Sequence, residues 1–242
     1  ISNYSVSLFH LMNHAFFKAL LFLSSGVIIH ALLDEQDMRK MGGLVKLLPF
    51  TYLMILIGSL ALMGFPFLTG FYSKDILLEL GSVNFIVPGI FCYVLNVITA
   101  GCTAFYSFRL FYLTFYTKPN TNKIIMENLH EASFFMLFAL LTLCLGSIFF
   151  GFIAKDIYVG LGSDILIYGF GLLPSNVFIL ESEYLSPLIK NIPFIISIIG
   201  ILISMFIMFK FRIFSYSEFF IIKKQKLYSK ILVDFYFIFS YK

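Results

Sequence analysis

Apolar runs long enough to cross a bilayer recur along this chain, and no soluble fold can hide them all. The first reads LFHLMNHAFFKALLFLSSGVIIHAL, from Leu8 to Leu32. About 20 predominantly apolar residues span the hydrocarbon as a helix, at 1.5 Å per residue. The regular series of short alternating segments that marks a β-barrel does not occur. The fold class is therefore an all-α integral membrane bundle. Composition agrees, with 60% of the 242 residues hydrophobic and 12% charged, about half the charged share of a soluble domain.

About five transmembrane helices are expected, over 5–33, 47–80, 87–116, 132–154 and 192–209. The second is too long for one straight crossing, so a discontinuity is expected at Gly64–Gly70, where Pro66 removes a backbone donor between flanking glycines. Unwound backbone at membrane depth survives where protein or water satisfies it, as in the broken helices of transporters. Between Lys155 and Lys190 the apolar run Ile165–Leu173 is too short to cross and reads as interfacial loop and short helix. Residues 210–242 mix Lys223, Lys224, Lys226 and Lys230 with aromatics; they read as a basic amphipathic surface segment, or as the start of a further helix. The domain reading is thus 1–209 for the membrane part and 210–242 for the basic segment.

Lysine and arginine divide unevenly between the two sides. Arg39, Lys40, Lys46, Lys118, Lys123 and the cluster from Lys210 onward fall together, against Lys155 and Lys190 opposite. The positive-inside rule puts the first group on the negative side of the membrane, a bacterial cytoplasm or mitochondrial matrix. A formal charge of +4, scattered among apolar residues, argues for no nucleic-acid partner. Cys92, Cys102 and Cys144 lie inside expected spans without a Cys-x-x-Cys spacing, so no metal or redox centre is expected on this chain.

Titratable groups inside the spans are the candidates for chemistry. His10, His14 and Lys18 stand four residues apart, within a sector of about 80° on one helix face. A charged lysine at the bilayer centre costs roughly 2.5–3.5 kcal/mol at least, so such groups face protein or a wet cavity and mark pathways. Lys18 is central and suited to gain and lose a proton; the two histidines suit a relay through water. Lys74 and Asp75 follow the expected break and form a second station. His30, near a span end, and Glu79 are secondary candidates. Arg109 reads as an anchor reaching for the surface, and Asp34, Glu35 and Asp37 as a solvated loop.

The runs SLFHLMNHAFFKALLFLSSG, DEQDMRKMGGL and GFPFLTGFYSKDILLEL closely resemble the distal antiporter-like subunit family of respiratory complex I, the fifth mitochondrially encoded membrane subunit of NADH:ubiquinone oxidoreductase, related to multisubunit cation/proton antiporters. The chain, with 32 Phe, 14 Tyr and no Trp, also has the composition of an A+T-rich organellar coding sequence. The resemblance implies proton translocation across the mitochondrial inner membrane, coupled remotely to NADH oxidation and quinone reduction. It implies that Lys18 is the central pump lysine, that His10 and His14 belong to its input chain, and that Lys74 with Asp75 is the lysine–acid pair of the outward path. NADH, FMN, iron–sulfur clusters and ubiquinone are then expected elsewhere in the complex. Other membrane-arm subunits and lipids are the expected partners, with basic loops on the matrix side. The large N-terminal part of the family has no counterpart here, so the chain reads as a C-terminal fragment, with a separate chain supplying the missing helices or with a longer chain of which this is one piece. Alternatives are a subunit of a sodium/proton antiporter and a non-conducting structural part of the membrane arm.

Overall fold

The computed structural model describes residues 4–83, 87–160 and 178–210. The expected interfacial stretch Ile165–Leu173 and the basic segment from 211 onward lie outside the described residues. The chain forms two compact units, Ile1–Ile201 and Leu202–Lys242, and the candidate site lies in the first.

The helices are α1 (Tyr4–Ala31), α2 (Pro49–Met63), α3 (Thr69–Val83), α4 (Val87–Phe111), α5 (Lys123–Glu127), α6 (Phe134–Tyr158) and α7 (Phe178–Glu183), followed by α8 (Pro187–Lys210). A 3-10 turn occupies Leu44–Lys46, and α4 continues as a π-helical turn over Tyr112–Tyr116. There is no strand among the described residues. Helices α1, α6, α8 and the α4 stretch Gly89–Tyr116 are each long and apolar enough to cross a membrane. Helices α2 and α3, of 15 residues each, are about 22 Å long at 1.5 Å per residue, less than the roughly 30 Å of hydrocarbon. Together they make the fifth crossing, and it is discontinuous.

The chemistry of that break is local. Gly64 sits at φ +83 in the left-handed region, which glycine adopts without a Cβ penalty. There its amide donates to Ala61 O at 3.2 Å while that of Phe65 donates to Leu60 O at 3.0 Å, the paired bonds of a Schellman cap. Pro66 follows and cannot continue the helix. Phe67 is also left-handed, with φ +70, an unusual conformation for a bulky residue and one that stores backbone strain.

Helix α1 is the hub, packed against α6, α2 and α3. Its buried residues Val6, Phe9, Asn13, Phe17, Leu20, Ser24 and Val27 recur every three or four positions and so form one stripe. Val6 and Phe9 meet Leu80 of α3 and Ala154 of α6, while Leu20 and Val27 meet Met54 of α2 and Leu140 and Cys144 of α6. Between helices in a membrane, close packing and hydrogen bonds do what the hydrophobic effect does in water, and small residues let backbones approach. Gly151 shows this, because a Cβ there would stand 2.6 Å from Thr69 Cα.

The end of the bundle reached after α1 is tied together by polar contacts. Asn120 Nδ2 donates to Arg39 O at 2.9 Å. Glu131 accepts from Phe50 N and from Thr51 Oγ1, both at 2.9 Å, and so supplies the cap that Leu48, lacking a side-chain acceptor, cannot give α2. In the same loops Arg39 pairs with Asp37 and Lys40 with Glu35, each at 2.7 Å. The Arg39 hydrogen bond holds the Asp37 carboxyl down at about 2, and the Lys40 hydrogen bond likewise lowers Glu35.

Candidate functional site

Three cavities follow one another along α1 and α3. The first, of about 170 Å³, is lined by Lys18, Phe22 and Ser25 of α1, Ser59 and Leu62 of α2, and Tyr106 and Ser107 of α4. Lys18 is half-buried, and its ammonium lies 5.0 Å from the centroid of the Phe22 ring, close enough for a cation–π attraction. It forms no ion pair among the described residues.

The second cavity, of about 270 Å³, brings together His10 and His14 of α1, Gly70 and Lys74 of α3, and Asn96, Thr99 and Thr103 of α4. The two imidazole centroids are 6.0 Å apart, and His10 Nδ1 shares a hydrogen bond of 3.0 Å with Ser73 Oγ. Such a volume holds several water molecules. Leu62 lines this cavity and the first one alike, so the two cavities share an aliphatic wall residue.

Lys74 is placed by the break itself. Its Nζ donates to Met63 O at 3.3 Å, one of the carbonyls that the Schellman cap leaves unpaired at the end of α2. The negative end of the α2 dipole favours a cation there. The expected pairing of Lys74 with Asp75 takes a different form, because successive residues on a helix point about 100° apart. Lys74 lines the second cavity, whereas Asp75 lines a third, of about 810 Å³, with Tyr72, Glu79, Lys155, Glu183 and Lys190. Among the described residues Lys74 and Asp75 make no ion pair with each other. Helix α3 is thus a partition with a cation on one side and two carboxylates on the other.

The sequential order His10, His14, Lys18 along α1 does not carry over to the cavities. The histidines share theirs with Lys74, and Lys18 stands one compartment away. His30 is exposed near the end of α1 and lines none of the three cavities. Two groups of residues escaped the sequence reading. Asn96, Thr99, Thr103 and Ser107 form a polar stripe on α4, and their spacing of three, four and four residues was the available signal. Glu131 gave none, since its role as a cap spans 81 positions.

No cluster of histidine, cysteine and carboxylate groups able to hold a metal occurs among the described residues. The arrangement offers groups that bind, hold and release protons within a helical bundle, with space for water between them.

A family described as "NADH:quinone oxidoreductase/Mrp antiporter, TM" matches residues 1–103, the part that contains α1, α2, α3 and most of α4. Curated relatives extend further. NADH-ubiquinone oxidoreductase chain 5 of Acanthamoeba castellanii is 49% identical over 246 residues, which covers 96% of this chain and 36% of that protein. Its namesake in Marchantia polymorpha is 54% identical over 201 residues, 83% of this chain and 30% of the relative. That of Arabidopsis thaliana is 52% identical over the same length, with the same two shares. The chain therefore spans about a third of the length of the curated relatives it matches. With half its residues identical over more than four-fifths of its length, the chain belongs to the antiporter-like membrane family of NADH-ubiquinone oxidoreductase chain 5.

Proposed function

We propose that this chain is part of the distal pump subunit of an NADH:ubiquinone oxidoreductase and moves protons across the mitochondrial inner membrane, while NADH oxidation and quinone reduction proceed on other subunits. The observation that carries this reading is the cavity uniting His10, His14 and Lys74 beside the broken crossing. Titratable side chains from two helices converge there around a space fit for water, at a depth where charge is costly unless it is used.

The succession of cavities supports a route from Lys18 to His14 and His10, then to Lys74, and past α3 to Asp75 and Glu79. In this route the histidines serve the outward half rather than the input chain that the resemblance implied. Protons pass between stations as a gated relay through water. Leu62 sets the first gate, since an aliphatic constriction interrupts water until it moves. Lys74 sets the second, because a proton on its Nζ strengthens the bond to Met63 O and its departure weakens it. NADH, FMN, iron–sulfur clusters and ubiquinone belong to partner subunits in this proposal, and the remaining helices of the pump belong to another segment or a separate chain.

The test is Lys18→Ala in the assembled complex. The expected result is a lower proton-to-electron ratio with NADH oxidation and assembly retained. An unchanged ratio would overturn the pump reading in favour of a structural role, and sodium-dependent exchange without NADH oxidation would overturn it in favour of an antiporter.

A further inference from the structure

The third cavity, of about 810 Å³, holds more charge than the proposed route uses. Along α3 it is faced by Tyr72, Asp75, Ile76 and Glu79, whose i, i+3, i+4, i+7 spacing makes one stripe. Three other helices complete it, with Lys155 and Asp156 from the last turn of α6, Glu183 from the end of α7 and Lys190 from the first turn of α8. Four carboxylates thus share one space with two ammonium groups. No ion pair joins any of them among the described residues, although Asp75, Glu79, Lys155 and Lys190 are half-buried. Lys190 gives one of its three protons to Glu183 O at 3.0 Å and keeps two. Charges partly withdrawn from water are costly unless a partner of opposite sign stands close.

The depth of the cavity and the surface beside it point to a lipid. Helix α6, of 25 residues, is about 37 Å long at 1.5 Å per residue, more than the roughly 30 Å of hydrocarbon. Its last turn therefore reaches the headgroup layer, and α8 starts from the same end. The cavity wall continues into apolar surface, since the Tyr72 ring lies 6.0 Å from that of Phe152, which is exposed on α6 together with Ile153. A charged headgroup on an apolar stem matches this layout, whereas a soluble solute would leave the apolar shelf bare. The volume falls within the roughly 300–1,000 Å³ of small-molecule sites. The excess of carboxylates then selects the headgroup. A purely anionic lipid would bring like charge to all four of them. A zwitterion offers a cation to α3 and a phosphate to the lysines, and a primary ammonium brings three hydrogen-bond donors where a quaternary one brings none.

We propose that this cavity binds a zwitterionic phospholipid with a primary amine, of the phosphatidylethanolamine class. Asp75 and Glu79 hold its ammonium, Lys155 and Lys190 hold its phosphate, and its acyl chains lie along the exposed face of α6 at Phe152. Each end of the headgroup then makes charge-assisted hydrogen bonds, which are the strong ones. The site requires nothing from the pump reading.

The test places the intact complex in vesicles containing a phosphatidylethanolamine with a photoactivatable acyl chain and maps the labelled peptides by mass spectrometry. Label is expected on α6 around Phe152. Unlabelled phosphatidylethanolamine is expected to displace it about tenfold better than phosphatidylcholine or the dianionic cardiolipin, a discrimination that one charge-assisted hydrogen bond supports. Equal displacement by all three overturns the headgroup site and leaves an unselective lipid surface. Soluble glycerophosphoethanolamine displacing the label as well as the lipid does overturns the choice of a lipid as ligand. Lys155→Gln combined with Lys190→Gln is expected to lower labelling about tenfold, and unchanged labelling overturns the role of the lysines. Should that variant fail to assemble, competition in the wild-type complex decides, with a cryo-electron microscopy map in which protein side chains filling the cavity would exclude the lipid. A Lys18→Ala proton-to-electron ratio equal to wild type would sink the pump reading and leave the lipid site standing.

Discussion

At the scale of single residues, Thr69 joins the break to the rest of the bundle. It is completely buried, and its hydroxyl ties the first turn of α3 to two backbone groups of α6. Five positions later Lys74 reaches back to the end of α2, so an error at Thr69 propagates to the lysine. Gly151→Ala tests this contact most directly, since the new Cβ would lie 2.6 Å from Thr69 Cα and 2.9 Å from its carbonyl oxygen. Backbone cannot yield as a flexible side chain can, and overpacking of this kind costs about 1–3 kcal/mol. The expected outcome is a lower thermal stability of the membrane arm, with Thr69→Ser close to wild type because the hydroxyl remains. A Gly151→Ala arm as stable as wild type would show that α3 and α6 are free to separate there.

At the scale of elements, α2 depends on a residue far from it in sequence. Pro49 opens the helix and needs no amide partner, since proline has none to satisfy. The Phe50 amide and the Thr51 hydroxyl are taken by Glu131, just before α6. Removing a side-chain cap costs about 0.5–2 kcal/mol. Glu131→Ala is therefore expected to speed hydrogen exchange at the Phe50 amide while leaving exchange in the middle of α1 unchanged. Equal protection in the variant would mean that packing alone holds the start of α2.

At the scale of the whole molecule, the first unit sorts its charges by end. Arg39, Lys40 and Lys118 lie among the loops joined by Asn120 and Glu131, whereas Asp156, Glu183 and Lys190 line the cavity at the other end. By the positive-inside rule the Arg39 end would face the negative side, and that is the orientation proposed for the bundle. Cysteines introduced as Gln36→Cys and Glu183→Cys test this with a membrane-impermeant thiol reagent. In intact inner membranes with the outer face exposed, the second is expected to label and the first only after inversion. The opposite pattern would reverse the direction of the proposed route. Large exposed side chains such as Phe135, Phe138, Phe149 and Phe152 on α6 suit lipid or neighbouring subunits, as spans of this kind require.

Membrane crossings, the break near Pro66 and the titratable residues of α1 and α3 were all legible in the sequence, because each depends on local composition or on helical period. Hydrocarbon thickness sets the length of a span, and a proline between glycines disrupts a helix wherever it stands. The grouping of those residues was not legible. Whether Lys18 shares a compartment with His10, which side of α3 receives Asp75, and what caps α2 all depend on the rotation and register of one helix against another. Those are set by contacts such as Thr69 against Gly151, between positions 82 residues apart, which no local pattern encodes. The sequence alone determined that this chain crosses a membrane and carries protonatable groups inside it. Tertiary structure alone decided which of those groups face one another, since only packed helices bring distant stripes of side chains around a common cavity.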